Sequence, residues 1–237
     1  PNTLTKESVE TFMSEIKGGK SLLLEAFTPL IDLEEDAIRS KNLELLTSIF
    51  EHGSIEVFNQ GKTESIISTV QSKLNEKLRE KGLLGKESLI SRYYGGVYFS
   101  YRQAVQIDVI MDAIRHHPDG INKNVLLAAL LSTASDIACT VGKHFAQPIK
   151  ARDSKGNIKK LVYNKAIKDK IIDVVVLFED WLNKYISLPK GHHHNIVLQG
   201  DFMECLRMLP NNVKTVYADP PYTRDHYSRF YHVLETM

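Results

Sequence analysis

The sequence predicts an α/β chain whose sheet-bearing half is present only in part, behind a large, mainly helical region. Apolar residues recur at helical spacing from Thr5 to Ile186, whereas runs with the β-branched density of strands, Asn195–Gln199 and Val213–Ala218, come only near the end. The second run stops at Asp219-Pro220-Pro221-Tyr222. Proline donates no ladder hydrogen bond, so two in succession end a strand and hold the next residues in a stiff, extended turn. Pro189–His194 reads as a linker, which makes residues 1–190 the helical region and residues 191–237 a partial α/β domain.

Each element follows from its own pattern. Thr5–Lys17 carries Val9, Phe12, Met13 and Ile16 on one stripe and ends at Gly18-Gly19. Gly18-Gly19-Lys20-Ser21 lacks the first glycine and the preceding strand of a phosphate loop, and is read as a helix stop. Asp32–His52 opens on a capping-box pattern, Asp32 with Glu35, and stops at Gly53. Glu64–Lys81 repeats the plan with Ile66, Ile67, Val70, Leu74 and Leu78. Tyr93–Tyr101 mixes Gly95-Gly96 with five aromatic residues, which either offer stacking faces to bases or pack a domain junction. Ser100 is expected to cap a helix Tyr101–His116, and Asp119-Gly120 to form a turn. Leu126–Thr140, apolar nearly all round, is expected to be a central buried helix in which Asp136 needs a partner, structural or functional. His144, just beyond, reads as a surface or cap residue ahead of a catalyst.

Gln147–Lys170 is the one basic concentration: Lys150, Arg152, Lys155, Lys159, Lys160, Lys165, Lys168 and Lys170 face only Asp153 and Asp169. Asp153-Ser154-Lys155-Gly156-Asn157 reads as the turn of a basic hairpin near 147–165, which either runs along phosphates or stands as a solvated loop. Ile171–Ile186 is an amphipathic helix with Val174, Val175, Phe178, Trp181 and Leu182 toward a core. After the linker, strand Asn195–Gln199 ends in Gly200-Asp201 and leads into a short helix, Phe202–Leu209.

Composition narrows the class. With 237 residues, 43% of them hydrophobic and 25% charged, the chain is long enough to bury a substantial core. A net charge of +1 gives no global positive field, so any nucleic-acid footprint is local. Cys139 and Cys205 match neither a metal spacing nor a disulfide framework and read as reduced core residues. The histidines His192, His193 and His194 sit too close together on a coil to preorganise a metal site, so no metal is expected. No signal peptide or membrane-length apolar run occurs, and the expected location is cytoplasmic.

The chemistry that suits Asp219-Pro220-Pro221-Tyr222 is methylation of an exocyclic amino group on a nucleic-acid base. Such an amine is a poor nucleophile because its lone pair is delocalised into the ring. The Asp219 carboxylate and the Pro220 carbonyl can each accept one of its N–H bonds, which pulls the nitrogen toward tetrahedral geometry. Positive charge then develops on nitrogen beside a fixed carboxylate. Tyr222 is placed to stack on the base, which must first be swung out of the duplex. An ordinary turn is the bland alternative.

The motif resembles that of amino-methylating, S-adenosylmethionine-dependent DNA methyltransferases, more the adenine-N6 than the cytosine-N4 enzymes. Gly95-Gly96-Val97-Tyr98-Phe99-Ser100, Gln103-Ala104, Ile107-Asp108, Leu126–Gly142 and Thr223–Met237 resemble segments of the D12 subgroup. Where that subgroup commonly has Asn before its Thr-Gly stretch, Cys139 stands here. The resemblance implies a Rossmann-like methyltransferase fold, present only in part, with a large, mainly helical insert or recognition domain. It assigns catalysis to Asp219, Pro220, Pro221 and Tyr222, and cofactor binding to Asp201 and Phe202. Contacts to double-stranded DNA fall on Lys150, Arg152, Lys155, Lys159, Lys160, Arg224 and Tyr227. The implied activity is site-specific adenine-N6 methylation, the modification part of a restriction-modification or DNA-protection system. No aromatic-x-Gly-x-Gly loop for the cofactor occurs, so the expectation is a fragment whose cofactor site a further segment or partner chain completes. A non-catalytic DNA-binding or assembly module, and an RNA or protein-glutamine methyltransferase, are the alternatives.

Overall fold

The computed structural model describes residues 4–61, 64–118, 120–140, 145–188, 196–218 and 228–237. The expected linker, His144, the expected catalytic motif Asp219–Tyr222, Arg224 and Tyr227 lie outside them.

Helix α7 (Tyr101–His116) is the axis of the fold, and its start is set by local chemistry. Ser100 and Gln103 form a capping box: Gln103 N donates to Ser100 Oγ at 3.2 Å, and Ser100 N to Gln103 Oε1 at 3.0 Å. The helix is buried on two sides. Ala104, Ile107, Ile110, Met111 and Ile114 belong to one core, whereas Tyr101 and Val105 belong to another. Double-sided burial explains why Gln103 and Asp108, both polar, are inaccessible on it.

The first core joins α7 to α1 (Lys6–Gly18), α8 (Gly120–Ile137) and α10 (Val174–Ile186). Phe12, Met13, Leu126, Leu130, Phe178 and Leu182 fill it, each contributing about 1.5–3 kcal/mol by burial. The second core lies between α7, α2 (Leu22–Ser40) and α5 (Ser68–Glu80), with Ile49 of α3 (Leu43–His52) and Ile55 of α4 (Ile55–Asn59) closing it. A third packs α3 against α9 (Lys160–Lys170) through Leu46, Phe50, Tyr163 and Ala166. The short α6 (Leu89–Tyr94) leads into the glycine-aromatic loop before α7.

Several sequence expectations need correction. The α/β Rossmann-like fold is not what the chain forms: the described residues are helical and coil, with no strand or sheet beyond three isolated bridges. Residues 196–199 and 213–218, expected as strands, are coil with no ladder partner among the described residues, and Val197 is 95% and Tyr217 86% exposed. High β-propensity marks residues that suit a half-buried pleated surface, and without a neighbouring ladder it fixes nothing. The expected helix Asp32–His52 is two helices, broken where Lys41 turns left-handed at φ 54° and Asn42 caps α3. Its true start is Ser21, whose side chain accepts from Leu24 N, and Pro29 is tolerated inside α2. Helix α9 begins at Lys160, inside the stretch expected as a basic hairpin near 147–165. Cys139 is buried, but Cys205 sits on α11 (Phe202–Arg207), which buries none of its residues.

Candidate nucleic-acid interface

The basic segment divides into a hairpin and a helix. Arg152 and Ile158 pair across an antiparallel bridge, and Gly156, at φ 83°, supplies the left-handed residue the turn needs. Asp153 fastens the tip: its Oδ1 accepts from Asn157 N at 2.9 Å and Lys155 N at 2.8 Å. The bonds from Asn157 lead in holding its carboxyl below the usual carboxylate range. The turn Asp153–Asn157 is formed, but one bridge stands where short strands were expected, and α9 takes over from Lys160.

The cations differ in what they face. Lys150, Lys155 and Lys160 are exposed, and Lys159 is half-buried. Arg152 is exposed but engaged: its Nε lies 3.2 Å from Glu51 Oε1, and its Nη1 donates to Gly156 O at 3.1 Å. Lys170, counted with the basic run in the sequence, is a core residue. Its Nζ donates to Glu34 Oε1 at 2.7 Å, Gly96 O at 2.9 Å and Phe99 O at 3.2 Å, with both carboxylate and ammonium buried. Glu34 Oε2 accepts from Tyr101 N, so this one pair fixes the glycine loop, the start of α7 and the end of α9 together.

The glycine-aromatic loop packs a junction. Phe99 and Tyr101 are fully buried, and a Cβ on Gly96 would meet Tyr101 Oη at 2.9 Å and Gly53 Cα at 3.1 Å. Burial pushes the Tyr98 phenol up to about 12. The loop also receives the end of the chain. Helix α12 (Ser228–Glu235) sets His232 against Tyr94 and Tyr98, each with ring centroids 5.7 Å away, and Tyr94 Oη lies 3.0 Å from Thr236 Oγ1. Two of the stretches that carried the resemblance, distant in sequence, therefore meet. Asp136 has its partner in Trp181, whose Nε1 donates to it at 2.9 Å on the surface.

Asp201 caps α11, its Oδ1 accepting from Met203 N at 2.9 Å and Glu204 N at 3.4 Å. Phe202 beside it is 69% exposed. Asp201 thus serves as a helix cap among the described residues, and the segments on either side of it, 189–195 and 219–227, lie outside them. Sequence reasoning missed α9 and the buried pair Glu34–Lys170. The signal was present in the spacing Tyr163, Ala166, Lys170, which are the buried positions of α9, but lysines filled the rest of that segment.

The chain matches no protein-family model, and no curated protein or solved structure is significantly similar to it. No helix among the described residues is long and apolar enough to cross a membrane.

Proposed function

We propose that this chain takes part in methylating adenine N6 in double-stranded DNA, with S-adenosylmethionine as methyl donor. In this reading the helical body and its basic hairpin bind the DNA. The observation that carries it is the sequence Asp219-Pro220-Pro221-Tyr222, preceded at short distance by Gly200-Asp201. Asp219 and the Pro220 carbonyl accept the two amine N–H bonds, leaving the nitrogen lone pair free for alkylation. The Asp219 carboxylate offsets the positive charge that develops there. Tyr222 stacks on the extruded base. The donor supplies an electrophilic methyl group, and a partner chain or further segment completes its site. The biological role is site-specific modification within a restriction-modification or DNA-protection system, in the cytoplasm.

The DNA-binding part draws support from the exposed cations Lys150, Lys155 and Lys160, gathered on one hairpin and one helix start. The test is a comparison of methyl acceptors: duplex DNA, RNA and a glutamine-bearing peptide offered to the native assembly. Methylation of duplex DNA alone is expected, and acceptance of RNA or peptide in its place would overturn the substrate assignment.

A second reading, a DNA-binding or assembly module without catalysis, rests on the helical body and its exposed cations alone. It predicts duplex binding without binding of S-adenosylmethionine, even in the native assembly.

A further inference from the structure

No residue of the stretch 196–218 is buried, although it is rich in apolar side chains. Nine of the 20 exposed large apolar side chains among the described residues fall in it. Ile196, Val197, Phe202, Met208, Val216 and Tyr217 are each at least 59% exposed. Single exposed apolar side chains are ordinary, but monomeric proteins seldom leave such a concentration uncovered. At 40–95% exposure the nine carry on the order of 1,000 Å² of accessible surface, against the roughly 800 Å² that each partner buries in a standard interface. That is enough surface to hold a stable dimer together.

The charges of the stretch point to a second copy of the chain as its occupant. Asp201 and Glu204 are its acids and Arg207 and Lys214 its bases, so it carries no net charge and attracts no partner of one sign. On α11, Phe202, Cys205 and Leu206 stand at i, i+3 and i+4 and share one face. Glu204 and Arg207, both exposed, come immediately before and immediately after the pair Cys205-Leu206. An antiparallel copy of the same helix, turned about a point between Cys205 and Leu206, therefore sets Glu204 of each copy opposite Arg207 of the other. The face is self-complementary, as an isologous two-fold interface requires.

We propose that the chain forms a symmetric dimer through residues 196–217, with α11 antiparallel to α11 of the second copy. The apolar side chains supply the affinity, and the two Glu204–Arg207 pairs set the register. The contact uses none of the hairpin cations, so the dimer carries two basic hairpins. It goes beyond the methylation reading and does not rest on it.

Sedimentation velocity on the full chain, at loading concentrations up to about 100 μM, reads the dimer directly. Leu206→Asp is expected to raise the dissociation constant at least about tenfold, because the dimer would bury its charge. Its thermal midpoint under monomeric conditions should match wild type, since α11 buries none of its residues. Glu204→Arg and Arg207→Glu each place like charges together at both pairs, and each alone is expected to weaken the dimer about tenfold at low salt. Mixed one to one, the two variants restore both pairs and regain the dimer. Leu161→Asp, at an apolar residue 86% exposed outside the stretch, is expected to change nothing. A wild-type chain that stays monomeric throughout overturns the proposal and leaves the stretch to a partner of different sequence. A dimer indifferent to Leu206→Asp, or one that the mixed variants fail to restore, also overturns it. So does growth beyond the dimer, which a closed two-fold contact does not permit.

Discussion

At the scale of single residues, a buried ion pair and a buried carboxyl stand out. Lys170 and Glu34 satisfy each other and three backbone groups in the interior, so removing either partner strands a buried charge. Lys170→Met or Glu34→Gln is expected to cost about 3–5 kcal/mol in urea unfolding, and the double change Glu34→Leu/Lys170→Met much less than the sum. Additive losses in the double variant would show that the two act independently. Asp108 differs in kind. Burial pushes its carboxyl up to about 7, against hydrogen bonds from Ser91 and from Ile90 N. In the unfolded chain the same group titrates near about 4. Between these values the native state holds a proton that the unfolded state has released, so this group's contribution to stability is full below about 4 and is lost as pH rises toward 7. Thermal midpoints measured from pH 5 to 8 should fall through this window for the wild-type chain and flatten for Asp108→Asn. An equal slope in both would remove Asp108 as the source.

At the scale of elements, boundaries set by capping chemistry were legible and boundaries set by tertiary packing were not. Ser100 and Gln103 stand at capping-box spacing, and α7 begins there. Asp32 and Glu35 show a similar pattern, yet they lie in the interior of α2, because Ser21 had already started that helix. The break between α2 and α3 was missed because Lys41, in the left-handed region, is a residue that rarely adopts it. Asn42 accepts from Leu45 N at 3.1 Å and starts α3 anew. Asn42→Ala should therefore cost about 1 kcal/mol of unfolding free energy, and an unchanged midpoint would deny the cap any role. The β-rich runs failed for the opposite reason. Strand propensity is realised only against a partner ladder, and residues 196–199 and 213–218 have none among the described residues.

At the scale of the whole molecule, the described residues form a helical body around α7, with the hairpin and the start of α9 as its cationic edge. Of the expected DNA contacts, Lys150, Lys155, Lys159 and Lys160 lie on that edge, whereas Arg152 is tied to Glu51. The proposed catalytic residues were readable only as a motif, since Asp219–Tyr222 fall outside the described structure. Duplex affinity should fall steeply with added salt, and Lys155→Gln should weaken it with little regard to DNA sequence, as a phosphate contact does. Strong dependence of that loss on sequence would point to base contacts instead. The most direct measurement is transfer of labelled methyl from S-adenosylmethionine to duplex DNA by the native assembly, followed by digestion to nucleosides, with and without Asp219→Ala. Label in N6-methyladenine that falls by about a hundredfold or more in Asp219→Ala is the predicted result. Transfer that survives Asp219→Ala unchanged, or no transfer from the native assembly at all, would contradict it.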